Sequence, residues 1–232
     1  MKRFAIGDIH GCHKTLEYLV HEKIKPGKGD KLFFVGDYID RGPDSKAVID
    51  FLFSLREQGI DLHLLRGNHE EMLLDAAKAV PEFNQWIMND GFTTLRNFGI
   101  DDYLLLGPEA IKKIPHPYLD FFSSLNYYDD SEKDYVFVHA GLNFDGRTPY
   151  DDKKALVWQR EEDYNEKFMQ GRILVHGHTP VPVEKIQKQI EDPENKIINL
   201  DAGCVYKSRN RLGRLAALNM DSMKLLYVAN RE

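Results

Sequence analysis

The chain has 232 residues, enough for one substantial domain with a full core. Its 42% hydrophobic and 29% charged residues mark an ordinary globular sequence, and 31 Lys and Arg against 37 Asp and Glu, a net charge of −6, argue against a broad nucleic-acid surface. Two cysteines, an opening apolar run cut short at Gly7-Asp8, and no stretch near the roughly 18 apolar residues of a membrane span exclude a disulfide framework, a secretion signal and a membrane anchor, so the expected location is cytoplasmic.

Residues 4–6 form a short apolar run that ends in Gly7-Asp8, the pattern of a buried strand. Residues 15–24 put Leu16, Leu19, Val20 and Ile24 on one helical face, and residues 26–30 are a turn. A second strand over 31–35 again ends in Gly-Asp. Residues 45–55 predict a helix with Val48, Ile49, Leu52 and Phe53 inward and a cap at Asp44-Ser45. A third strand over 62–65 runs into Arg66-Gly67-Asn68-His69. Three strand–loop–helix units in series predict an α/β layered fold, with ligands gathered at strand carboxyl ends.

Residues 71–125 read as a mostly helical insertion or cap beside the site, with Phe83, Trp86, Phe121 and Phe122 as packing anchors. Strands follow over 135–138, ending in His139-Ala140-Gly141, and over 173–175, ending in His176-Gly177-His178-Thr179-Pro180. Three more are expected over 197–200, 215–218 and 225–228. No repeat, low-complexity stretch or linker interrupts the chain, so a single domain over 1–232 is expected.

The polar residues at these strand ends are Asp8, His10, Asp37, Asp40, Arg41, Asn68, His69, His139 and His178. Carboxylate, imidazole and amide oxygen together suit Mn, Fe or Zn. A Mg site normally carries fewer imidazoles, and a Cys-rich structural zinc site is excluded. An aspartate shared by two ions would hold them roughly 3.5–4 Å apart, the spacing that clamps a phosphoryl displacement. Singly, each residue has a plainer explanation: an Asp after a strand caps a turn, Asn68 forms a loop, and a lone His10 is structural. The ordered set is what stands out: Gly7-Asp8-Ile9-His10-Gly11, Gly36-Asp37-Tyr38-Ile39-Asp40-Arg41-Gly42, Gly67-Asn68-His69-Glu70, His139-Ala140-Gly141 and Gly177-His178-Thr179.

On these motifs the chain resembles the calcineurin-like metallophosphoesterases, and within them the PPP-type serine/threonine protein phosphatases of bacteria and phages, of the lambda phage phosphatase kind. The resemblance extends to residues 156–161 and 200–204. It implies two packed mixed β-sheets flanked by helices. It implies two divalent ions, Mn with Fe or Zn as alternatives. Asp8 and His10 would bind the first ion, Asp37 both, and Asn68, His139 and His178 the second. His69 would be the general acid, oriented by Asp40, with Arg41 and Arg160 on the phosphate. His176 replaces an apolar residue of the family pattern and is expected to be structural or supporting. Pro180 stands where nuclease-like branches carry a further ligand His, which favours the PPP branch.

The physics agrees with those roles. An ester dianion resists an anionic nucleophile, and two metal ions offset that charge and activate hydroxide. A guanidinium binds phosphate oxygens in bidentate fashion. A Ser or Thr alkoxide needs a proton as it leaves, and a histidine paired with a carboxylate supplies one. The leading reading is therefore a metal-dependent serine/threonine phosphoprotein phosphatase acting on phosphorylated proteins or peptides and small phosphate esters, with no membrane or nucleic-acid partner. The alternative is a symmetrical bis(5'-nucleosyl)-tetraphosphatase, a family that is similar in its first motif and in Pro26-Gly27-Lys28 but usually has Asn or Ala in place of Asp40. A third reading is a non-catalytic metal-holding scaffold for phosphorylated partners.

Overall fold

Three short parallel strands begin the chain: β1 (Arg3–Ile6), β2 (Lys31–Phe34) and β3 (Asp61–Leu64). The structure, a computed structural model, describes residues 1–146 and 148–232. Phe4, Ile6, Leu32 and Phe34 enter one apolar cluster, while Ala5, Phe33 and Val35 enter another. That two-residue alternation, apolar on both sides, belongs to strands buried on both faces. The end of the chain returns to this sheet. Strand β8 (Arg214–Asn219) pairs antiparallel with β1 and β9 (Lys224–Ala229) with β8, so the order is β3-β2-β1-β8-β9.

The second sheet has the order β4-β5-β6-β7, from β4 (Tyr128–Asp129), β5 (Tyr135–Val138), β6 (Ile173–His176) and β7 (Ile197–Asn199). Strands β5, β6 and β7 are parallel and β4 is antiparallel to β5. The fold is thus α/β, two mixed sheets flanked by helices, as expected from the sequence. The inner faces meet in one cluster that joins Phe33 and Val35 to Phe137, Val175 and Ile198. Phe33 stacks on Phe137 with ring centroids 4.4 Å apart. Burying each such phenyl contributes roughly 1.5–3 kcal/mol.

Helix α1 (His13–Tyr18) continues through a wider π turn, Leu19–Ile24, and stops at Lys25, which turns left-handed. Helix α2 (Ser45–Glu57) begins where predicted, with the Asp44 side chain accepting from the Ala47 amide at 2.9 Å. Helices α3 (Asn68–Ala76), α4 (Val80–Trp86), α5 (Phe92–Asn97), α6 (Tyr103–Leu106) and α7 (His116–Ser124) fill the expected helical stretch. Their Phe83, Trp86, Leu95 and Phe122 share a core cluster with Phe4 and Phe34. Between α4 and α5 the chain kinks at Asn89 and Asp90. Helices α8 (Lys153–Trp158) and α9 (Glu166–Met169) cover Val136, Val138 and Leu174 through Leu156 and Met169, and α10 (Val183–Glu191) precedes β7. Among the described residues no helix is long and apolar enough to cross a membrane.

Candidate metal centre

Asp8, Asp37, Asn68, His139 and His178 follow the ends of β1, β2, β3, β5 and β6. The loops that carry them are tightly bent: His10, Asp37, Asp40, Arg41 and His178 all have positive φ, between 48° and 70°. Each such residue costs of order 1–3 kcal/mol and persists only where its surroundings over-determine it. Glu70, fully buried in the first turn of α3, provides much of that determination. Its carboxylate accepts from the amides of Asp37, Tyr38, Ile39 and Gly67 at 2.8–3.3 Å, tying the loop after β2 to the loop after β3. Gly177 admits the other close approach: a Cβ there would lie 2.0 Å from Asp8 Oδ1.

Two clusters of ligand atoms result. Those of His10, Asp37 and His69 lie within 4.8 Å of one another, as do those of Asp37, His139 and His178. Asp37 belongs to both, the geometry expected of a shared carboxylate. Its Oδ2 is 3.4 Å from His10 Nε2 and 3.5 Å from His139 Nε2. His10 Nδ1 donates to the Ile39 carbonyl and His139 Nδ1 to the Val35 carbonyl, both at 2.9 Å. Those bonds place the proton on Nδ1 and leave each Nε2 unprotonated near Asp37. Asn68 Oδ1 lies 3.0 Å from both His139 Nε2 and His178 Nδ1. A lone-pair nitrogen facing an amide oxygen and a carboxylate is an arrangement that a cation between them satisfies.

Asp8 lies outside the tighter clusters. Its Oδ2 accepts from the His178 amide at 3.0 Å, and its Oδ1 is buried with no hydrogen-bond partner among the described residues, as are His69 Nε2 and His178 Nε2. Unpartnered buried polar atoms fit a site built for an ion and its substrate. The protonation states agree. Burial holds His10 and His139 below the usual imidazole range and brings His178 to about 3, which favours the neutral form that a metal ligand requires. Burial also pushes Asp8 well up, reinforced by the charges of Asp201 and Asp37, and raises Asp201 to about 7. Burial opposes ionisation of Asp37 too, but the surrounding His139, His69, His10 and Arg41 hold it below the carboxylate range. Three carboxyls crowded in a buried site are favoured in their charged form by nearby positive charge, which divalent ions would supply. The donor set therefore fits the dinuclear centre that the family implies.

His69 differs from the other rings. Its Nδ1 is 2.7 Å from Asp40 Oδ2, and its ring lies edge-on to His10 at 4.7 Å. Burial would lower its pKa, but the Asp37 charge and the Asp40 hydrogen bond outweigh it and leave the ring raised. Arg41 Nη1 donates to His10 Nε2 at 2.7 Å, so its guanidinium is at the centre. Arg160 is exposed at the rim, in a cleft of about 750 Å³, close enough for its charge to depress His178. His176 stands outside both clusters, its Nδ1 3.1 Å from the Gly177 carbonyl. Three residues absent from the sequence-derived set also shape the site: Asp201, Thr94, and Glu70 in its bridging role. Only Glu70 carries a local signal, an acid three residues into a helix start.

The chain belongs to the calcineurin-like phosphoesterase family, whose model matches residues 1–206. Curated relatives include the asymmetrical bis(5'-nucleosyl)-tetraphosphatase PrpE of Oceanobacillus iheyensis, 26% identical across 100% of this chain and 94% of the relative. The symmetrical bis(5'-nucleosyl)-tetraphosphatase of Cellvibrio japonicus is 45% identical over 71% of this chain and 53% of the relative. Serine/threonine-protein phosphatase 1 of Salmonella typhimurium is 44% identical over 40% of this chain and 41% of the relative. A protein serine/threonine phosphatase of Saccharomyces cerevisiae shares the fold, with TM-score 0.63 at 15% identity over 100% of this chain and 80% of the other.

Proposed function

We propose that this chain is a dinuclear metal-dependent hydrolase of bis(5'-nucleosyl) tetraphosphates. The observation that carries the reading is the pair of ligand clusters joined at Asp37, in a chain that aligns from end to end with a relative of that name. Asp8 and His10 would hold one ion, Asn68, His139 and His178 the other, and Asp37 would serve both. When bound, two divalent ions supply Lewis acidity that offsets phosphate charge and generates a nucleophile from water near neutral pH. Arg41 binds oxygens of the reacting phosphate, Arg160 reaches it from the rim, and His69, held by Asp40, gives a proton from Nε2 to the departing oxygen. Arg41 also lines a cavity of about 470 Å³ together with Arg96 and Lys207. Among the described residues neither Arg41 nor Arg96 forms an ion pair with a carboxylate, so this cavity suits the further phosphates of a polyphosphate.

A second reading, a phosphoprotein phosphatase, is favoured by the His69–Asp40 pair, since a protonated donor matters most when the leaving group is an alkoxide. Manganese-supplemented protein assayed in parallel on diadenosine tetraphosphate and on phosphoserine and phosphothreonine peptides separates the two. The expected result is a higher kcat/KM on the dinucleotide. Two nucleoside diphosphates as products would mark symmetrical cleavage, and a triphosphate with a monophosphate asymmetrical cleavage. A higher kcat/KM on the peptides would overturn the proposal in favour of the second reading.

A further inference from the structure

Asp40 is gripped from two sides by the kinked helical stretch. Trp86 Nε1 donates to Asp40 Oδ2 at 2.8 Å, the same oxygen that lies 2.7 Å from His69 Nδ1. Thr94 Oγ1 donates to Asp40 Oδ1 at 2.6 Å. Asp40, His69, Trp86 and Thr94 are each 0% exposed, so these bonds are shielded from bulk solvent. The Asp40 amide adds a contact of 3.0 Å to Ser45 Oγ, and Thr94 Oγ1 lies 3.1 Å from that same hydroxyl.

A carboxylate is otherwise loosely held about its terminal torsion, which is broad and two-fold. Bonds to both oxygens from separate helices fix its plane, and that plane sets the direction of the His69 ring. In a buried site each bond is also stronger than in water. The packing around Trp86 is specific to this seat, because a Cβ on Gly91 would fall 2.4 Å from the indole. The reversal at Asp90, with φ 68°, brings Thr94 back toward the same carboxylate.

We propose that Trp86 and Thr94 are positioning residues for proton donation: they hold Asp40 so that it aims His69 Nε2 at the departing oxygen. The helical stretch is then a working part of the acid rather than only a cover beside it. This inference rests on the reading of His69 as the proton donor.

Trp86→Phe removes the N–H and keeps the ring, Thr94→Val removes the hydroxyl at near-constant shape, and Thr94→Ser restores it. Each variant is assayed with metal on phenyl phosphate, a poor leaving group, and on p-nitrophenyl phosphate, an activated one. Trp86→Phe and Thr94→Val should each lower kcat on phenyl phosphate about tenfold, and on p-nitrophenyl phosphate by less than about twofold, part of the full effect of a general acid. KM should stay constant and Thr94→Ser should remain near wild type. Equal losses on both esters, or no loss on either, would overturn the inference and leave Trp86 and Thr94 as packing residues. If Trp86→Phe does not fold, the Thr94→Val and Thr94→Ser pair decides on the same ratio. His69→Asn keeps the two failures apart. Without a leaving-group dependence in that variant, the assignment of His69 falls. With one there but none in Trp86→Phe or Thr94→Val, only the inference falls.

Discussion

His63 Nδ1 lies 2.6 Å from Asp129 Oδ2, joining the edge strand β3 of one sheet to the edge strand β4 of the other. The imidazole stacks on Phe33 at 4.2 Å, and Asp61 lies 3.4 Å from its other nitrogen. Burial would lower the pKa of His63, but Asp129 and Asp61 outweigh it and raise the ring above 6.5. Burial likewise opposes Asp129, yet the bonds from His63 and Ser131 bring it down to about 2.

The raised histidine stabilises the fold fully below its unfolded pKa, and that stability fades as pH rises through the folded value above 6.5. The depressed aspartate contributes above its unfolded 3.8, and its share is lost as pH falls toward 2. The pair is therefore most effective between about pH 4 and 6.5. Asp129→Asn should cost about 1–2 kcal/mol in urea unfolding of the metal-free protein at pH 5.5, and clearly less at pH 8.5. An equal cost at both pH values would show that the contact is not acting as an ion pair.

Asp37→Asn should weaken both ion sites at once, because the Asp37 carboxylate belongs to both clusters. Elemental analysis should show clearly fewer than two ions per chain, with turnover down by about 10²-fold or more. A variant that keeps two ions and a near-normal rate would remove Asp37 from the shared position.

His69→Asn should leave the metal content close to wild type, because Nδ1 of His69 is engaged by Asp40. It should lower the rate on phosphoserine peptide by about 10²-fold or more, the usual scale of general-acid catalysis. Asp40→Asn should reproduce part of this loss, and the double variant should be no worse than His69→Asn alone. Additive losses would mean that the two residues act separately.

Arg96→Ala examines the cavity proposed for the further phosphates without touching the ligand clusters. Loss of one charge-assisted bond should lower kcat/KM on diadenosine tetraphosphate about tenfold and leave p-nitrophenyl phosphate within about twofold. A uniform change on both substrates would take Arg96 out of substrate recognition.

Much of the site was legible because its chemistry sits at strand ends. Apolar runs such as residues 4–6 and 31–35 stop at Gly-Asp, so the boundary and the candidate ligand are read together. Helix α2 was equally plain, since Asp44 is a local cap. Trp86 shows where such reading stops. A buried tryptophan near other aromatics reads as packing, and its bond to Asp40 crosses 46 positions by way of a kink with no distinctive local pattern. The two-residue strand β4 exists through its pairing with β5, which no periodicity announces. Arg41 and Arg160 carry the same chemistry in sequence. Only the fold separates them, placing one against His10 and the other exposed at the rim.

The two ligand clusters have different parentage. His10 and Asp37 come from loops after strands of the first sheet and His69 from the start of α3 that follows β3, whereas His139 and His178 come from the second. The second cluster thus straddles the seam between the sheets, and its geometry is only as good as their docking. A change that loosens the seam, such as truncating Phe137 where it stacks on Phe33, should reach the second cluster and spare the first. Affinity for one ion would then fall while the other held, so the metal pair would report, ion by ion, how well the halves of the protein are joined.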